Sequence, residues 1–161
     1  METAAASWMP LDLIEASAAL PYGGVIVAVL IGAISFTIVA LSVPGALTPT
    51  AFVSGLLMGF GGALVVALGA ALGSHLLFLV SRRWLAAAMQ RRFGARLDGV
   101  RDHLERRGPI YVATARLGGV PHIVVTAGAA ATQTSARSFA GASILGMLPA
   151  ISLAAIAGSA F

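Results

Sequence analysis

Residues 16–81 contain no Asp, Glu, Lys or Arg. A soluble domain carries about 25% charged residues, because its outward faces must be hydrated. A stretch this long without charge has room for several apolar segments of ~20 residues, the length that crosses a bilayer. Lipid, not water, is the solvent such a chain is built for. The whole sequence agrees: of its 161 residues, 58% are hydrophobic and only 10% charged. That composition excludes a disordered chain and argues against a soluble enzyme or a nucleic-acid binder, despite a net charge of +4. With no cysteine, disulfides, thiolate metal sites and cysteine nucleophiles are absent.

The charges that exist are gathered in one place. All ten basic residues are arginine, and eight of them (Arg82, Arg83, Arg91, Arg92, Arg96, Arg101, Arg106 and Arg107) lie between 82 and 107, against Asp98, Asp102 and Glu105. One basic connector between apolar segments is the signature of a cytoplasmic loop under the positive-inside rule. No Lys or Arg precedes Arg82, so the N-terminus does not read as a signal peptide, which needs a positive start. Residues 1–22 read as an interfacial segment. There Trp8, Leu11, Ile14 and Leu20 alternate with Asp12 and Glu15, and Trp8 and Tyr22 suit a membrane–water boundary.

The expected architecture is all-α: a polytopic membrane protein with a helical bundle, two opposed re-entrant hairpins forming an inverted repeat, and an amphipathic connector helix. A first transmembrane helix is expected over 23–42. Residues 43–81 are too few for two spans and a turn, and Pro44, Gly45 and Pro49 break the early part. This predicts a hairpin over 44–60 that enters and leaves on the outer face, then a span over 61–80. The connector, 82–108, repeats Leu85, Met89, Phe93, Leu97, Val100 and Leu104 at helical spacing, with arginines opposite. It is expected to lie in the headgroup plane, the alternative being a helix docked on the protein. A second hairpin, entering from the inside, is expected over 109–136, broken at Gly118, Gly119 and Pro121. A last span follows over 138–161, kinked near Pro149. Non-helical backbone at membrane depth is tolerated only when protein or a wet cavity surrounds it. Paired Gly/Pro breaks in two halves of a chain are also the best sequence pointer to a transport site.

Arg116 is the sharpest candidate, since a charge inside an apolar segment is expensive unless paired or wet. Its guanidinium matches a phosphate in geometry. His122, across the Gly–Pro break, is a candidate second phosphate donor or proton relay. His75, beside Ser74, is a further relay candidate or an interhelical histidine. Arg82 and Arg137 flank spans as topology determinants and candidate headgroup contacts. His103 reads as solvated. No His, Asp or Glu cluster has metal-ligand spacing, and no cofactor is expected. Gly55-x-x-x-Gly59 and Gly69-x-x-x-Gly73 read as close-packing helix faces.

Two ordered sets of residues carry a family likeness. The first is Pro44-Gly45, Leu47-Thr48, Gly55-Leu56, Gly59-Phe60-Gly61, Gly69, Gly73, Phe78 and Arg82. The second is Arg116-Leu117, Pro121, Gly128, Phe139, Leu145-Gly146-Met147-Leu148-Pro149 and Gly158. The chain resembles the VTT-domain proteins, also called the SNARE-associated Golgi protein family, of the DedA superfamily. It looks most like the bacterial Tvp-type branch, and 43–161 would be the VTT/DedA-like domain. The resemblance implies opposed hairpins in a bundle and lipid translocation: eukaryotic relatives are phospholipid scramblases, and some bacterial ones return undecaprenyl phosphate across the membrane. Arg116 falls on the hairpin arginine of the motif, and His122 about where many relatives have a second arginine. The sequence departs from the pattern in three ways. Ala46 stands where a glutamate often follows the first Pro, and no carboxylate lies from Leu20 to Leu97, which argues against carboxylate-based proton coupling. Gly118-Gly119 replaces the usual proline. A further C-terminal helix is usual, so a minimal member or one completed by a partner subunit is expected.

The leading functional expectation is a scramblase or flippase, not an enzyme, multi-pass in the bacterial inner (plasma) membrane with the connector cytoplasmic. Its partners would be phosphate-bearing membrane lipids, with a homo-oligomer or a membrane partner subunit in view and no nucleic acid. The rivals are a proton-linked transporter of a small solute or anion, and a non-catalytic assembly subunit. An intramembrane hydrolase is weakest, because no Gly-x-Ser-x-Gly, His-Glu-x-x-His or paired aspartate occurs in the spans.

Overall fold

The structure, a computed structural model, describes residues 22–161, apart from the side chains at 85, 86, 89, 90, 93 and 97. The interfacial segment with Trp8, Leu11, Ile14 and Leu20 lies outside the described residues. So do the side chains of Leu85, Met89, Phe93 and Leu97 on the connector's stripe. The helices are α1 (Gly23–Ala40), α2 (Leu47–Met58), α3 (Phe60–Val80), α4 (Ala86–Arg107), α5 (Ile110–Leu117), α6 (His122–Ala130) and α7 (Ala136–Ser159). A π-helical turn, Ser81–Leu85, joins α3 to α4 without a loop. The described residues contain no strand.

Among the described residues three helices have the length and composition to cross a membrane: Gly23–Ala40, Phe60–Trp84 and Ala136–Ser159, of 18, 25 and 24 residues. At about 1.5 Å per residue these match a hydrocarbon layer of ~30 Å. Burial is inverted relative to a water-soluble bundle. Val29, Leu68, Leu72 and Leu153 are each more than 60% exposed, whereas Ser35, Ser54, Ser74, Thr126 and Ser143 are buried. In water so much outward leucine and valine would drive association; in lipid it is the solvated face. Two of these hydroxyls are satisfied within their own helix. Ser35 and Ser54 donate to the carbonyls of Ile31 and Ala51, at 2.8 and 2.7 Å.

With no hydrophobic drive between helices in lipid, association rests on close backbone approach at small residues. Gly69 lies against the carbonyl of Gly32, and Gly73 against that of Phe36, so a methyl at either would overlap backbone. The shared spacing of four also sets direction: the chain runs the same way along α1 and α3. Gly55 meets Ala155, and Gly158 meets Phe52, where α2 crosses α7; Gly146 meets Ala113, where α5 crosses α7. Gly59 is not a packing glycine. It is the turn between α2 and α3, with φ +58° and open space around it.

The first broken element therefore differs from expectation. Nothing within Leu47–Met58 interrupts a helix, and Pro49 sits in the first turn of α2, where its missing N–H costs no bond. Pro49 is a helix starter, not a break. The break is earlier, at Ser42 (φ +54°) and Gly45 (φ +77°). Because α1 and α3 are parallel, α2 carries the chain back between their ends and does not turn within 44–60 to leave where it entered. The second element is interrupted between α5 and α6 at Gly118–Pro121, with Gly119 at φ +74°. The helix α7 continues through Pro149.

The core has two parts. One, around Val39, Ala51, Val66 and Ile151, joins α1, α2, α3 and α7. The other, around Phe78, Val125 and Phe139, joins the end of α3, α5, α6 and the start of α7. Val100 and Leu104 belong to this second part. The connector's stripe at those two positions is therefore covered by protein, as in a docked helix, and is not turned to lipid.

Gly73→Leu should lower the stability of the detergent-solubilised protein by about 1–3 kcal/mol or prevent folding, because a packed helix pair must separate. Gly141→Ala, on open space in α7, should raise it by up to about 1 kcal/mol through helix propensity. Denaturant titration followed by circular dichroism compares the two.

A candidate anion site where the two chain breaks meet

Arg116 stands in the last turn of α5, with its guanidinium held by three other helices. Nε donates to Ser143 Oγ of α7 at 3.2 Å, and Nη2 to Ser74 Oγ of α3 at 2.8 Å and Thr126 Oγ1 of α6 at 3.2 Å. Nη1 bonds Nδ1 of His122. A guanidinium only donates, so His122 Nδ1 accepts and the ring carries its proton on Nε2. The ring of Phe139 lies 5.6 Å from the guanidinium carbon and stacks on Phe78 at 4.4 Å, adding a cation–π contact. Ser74, Thr126 and Ser143 are sealed from solvent, so the arginine has replaced water as their partner.

None of these partners is an anion. Among the described residues the carboxylates are Asp98, Asp102 and Glu105, all on α4. The charge of Arg116 is met by dipoles alone, and a low-dielectric setting makes an uncompensated charge seek a counter-ion. Four of its five N–H groups are engaged by these bonds. One on Nη1, together with Nε2–H of His122, remains as a pair of donors on adjoining side chains.

A cavity of about 520 Å³ opens beside them. Its walls come from the end of α1, the first break and the start of α2 (Val39, Ser42, Pro44, Gly45, Thr48), from the second break and the start of α6 (Gly119, Pro121, His122) and from α7 at Gly146–Ile151. Four of the six break residues singled out by sequence line it; Pro49 and Gly118 do not. The Ser42 hydroxyl is buried without a partner, at a left-handed backbone position unusual for serine.

The other candidates fall elsewhere. Arg82 donates to the carbonyls of Ala130 (3.2 Å), Thr132 (2.8 Å) and Thr134 (2.7 Å), and its guanidinium covers the Phe78 ring at 4.6 Å. It ties the last carbonyl of α6 to two carbonyls of the loop that follows, which leaves little of it for a lipid headgroup. Arg137 is exposed in the first turn of α7, and His75 is half-buried on α3, neither lining the cavity. His103 donates from Nδ1 to the carbonyl of Gly99 at 2.7 Å and stacks on Tyr111. Among the described residues no group of His, Asp or Glu is placed to hold a metal.

A sequence model described as VTT domain matches residues 13–160. The chain belongs to the VTT-domain family. That family is membrane-associated and DedA-like, which fits a membrane transporter. Comparisons with curated proteins and with solved structures return no match.

In this VTT-domain chain the residues that sequence reasoning missed are the uncharged ones. Ser143, Thr126 and Phe139 carry no pattern that marks an arginine cradle. Ser74 was visible only as a polar residue in an apolar span. Ser42 looked like the end of a helix.

Thr126→Val removes one acceptor without changing shape and should cost about 1–3 kcal/mol, the penalty for an unpaired buried donor. Arg82→Ala, on a more exposed side chain, should cost roughly 1–2 kcal/mol as the end of α6 and the loop after it lose their shared donor. Unfolding in mild detergent reads both; no change in either would contradict these assignments.

Proposed function

We propose that this protein moves phosphate-bearing lipids between the leaflets of a bacterial inner membrane. The supporting observation is the Arg116 cation, held by hydroxyls and an imidazole, with no carboxylate, at a cavity that both chain breaks line. A lipid phosphate is the anion a membrane supplies in quantity. It would accept from the free Nη1–H of Arg116 and from Nε2–H of His122, charge-assisted bonds that replace part of its hydration. The acyl chains need no polar partner and would stay in hydrocarbon. The breaks enter the membrane in this reading, which satisfies the rule that irregular backbone there must border protein or a wet cavity. The arginine-rich α4 would face the cytoplasm, together with the C-terminal ends of α1 and α3 and the start of α7 at Arg137.

The test is a dithionite quench of headgroup-labelled phospholipid in proteoliposomes. Wild type should quench well past the outer-leaflet half. Arg116→Gln, which keeps length and some donors but no charge, should slow it at least about tenfold, the worth of one charge-assisted bond. Quenching that stops at half, or that Arg116→Gln leaves intact, overturns the proposal.

A second reading, proton-linked transport of a soluble anion, is favoured by one observation: the partner of Arg116 is a titratable imidazole. It predicts uptake of inorganic phosphate driven by a pH gradient, with no lipid movement.

A further inference from the structure

A second cleft, of about 490 Å³, lies on the other side of Val120 and Pro121, between α4 and the second broken element. Arg96, Gly99 and His103 line it from α4, with Tyr111 and Val124 opposite. Arg96, Gly99 and His103 recur at three, four and seven residues, so they share one helix face. Val120 and Pro121 wall this cleft and the Arg116 cavity alike.

Gly99 is the informative residue. Glycine inside a helix is unfavourable, and the usual excuse is a neighbour too close for a side chain. Here a Cβ would meet nothing within 4 Å. The glycine admits no other helix; it keeps the floor of the cleft open.

We infer that this cleft docks a phospholipid headgroup. Charge selects the occupant: the cleft sits on the segment where eight arginines face three acids, and Arg96 offers a guanidinium to a phosphate. The Nδ1–H of His103 is committed to the Gly99 carbonyl, so Nε2 is left to accept from a headgroup hydroxyl or ammonium. Val120 and Val124 supply an apolar wall for the start of an acyl chain, and Tyr111 suits the membrane–water boundary. The occupant is a phospholipid whose headgroup carries a donor, such as phosphatidylglycerol. Its role as a waiting position, one loop away from Arg116, rests on the lipid reading above.

Native mass spectrometry of the protein released from detergent with phosphatidylglycerol tests this. Wild type should retain two lipids. Gly99→Leu, which favours the helix and fills the cleft, should retain one, and Arg96→Gln should weaken the same lipid about tenfold. Arg116→Gln should lose the other. A Gly99→Leu protein that keeps the wild-type lipid count overturns the docking site. So does glycerol phosphate competing as well as the lipid, since the apolar wall would then contribute nothing. If Gly99→Leu loses a lipid and Arg116→Gln loses none, the cleft stands and the Arg116 reading fails.

Discussion

The arrangement depends on one cation that meets no anion among the described residues. Arg116 ties α5 to α3, α6 and α7 through Ser74, Thr126, His122 and Ser143. In hydrocarbon such a charge is tolerated only because five neutral groups, counting the Phe139 ring, share its solvation. The same neutrality leaves the charge unspent. A carboxylate would have held the helices as well and, in the proposed reading, closed the site to an incoming phosphate.

Around that centre the packing follows from what lipid does not provide. Without hydrophobic drive between spans, the helices approach on glycine, at Gly69 and Gly73 for α1 and α3 and at Gly55, Gly146 and Gly158 along α7. Many of the leucines, such as Leu68, Leu72 and Leu153, are turned outward. Arg82 fastens the end of α6 to the loop that leads into α7, by donating to the carbonyls of Ala130, Thr132 and Thr134. The two cores share α3 and α7, and the cavity opens at the seam between them, where both breaks remove helical backbone that would otherwise fill it.

Much of this was legible in the sequence, for physical reasons that can be named. Uncharged runs of spanning length mark α1, α3 and α7, and an arginine among apolar residues marks Arg116. Gly118 to Pro121 marks the second break, because backbone with positive φ and a missing N–H cannot be hidden by composition. The first element was misread because Pro49 counts as a breaker in sequence but as a starter three residues into a helix. Direction was illegible too: the parallel run of α1 and α3 is set by which glycines face each other, which hydropathy does not encode. Serine and threonine hydroxyls are ordinary residues until an arginine is placed among them, so the cradle became visible only with the fold.

The charge of Arg116 is uncompensated among the described residues, and a variant that supplies the compensation tests its role most directly. Ser143→Asp puts a carboxylate where a hydroxyl now accepts from Nε at 3.2 Å. The variant should fold at least as stably as wild type, since a charged pair replaces a charge–dipole contact. Its lipid translocation in proteoliposomes should fall to the protein-free level. A stable Ser143→Asp protein that moves lipid at the wild-type rate would contradict the account.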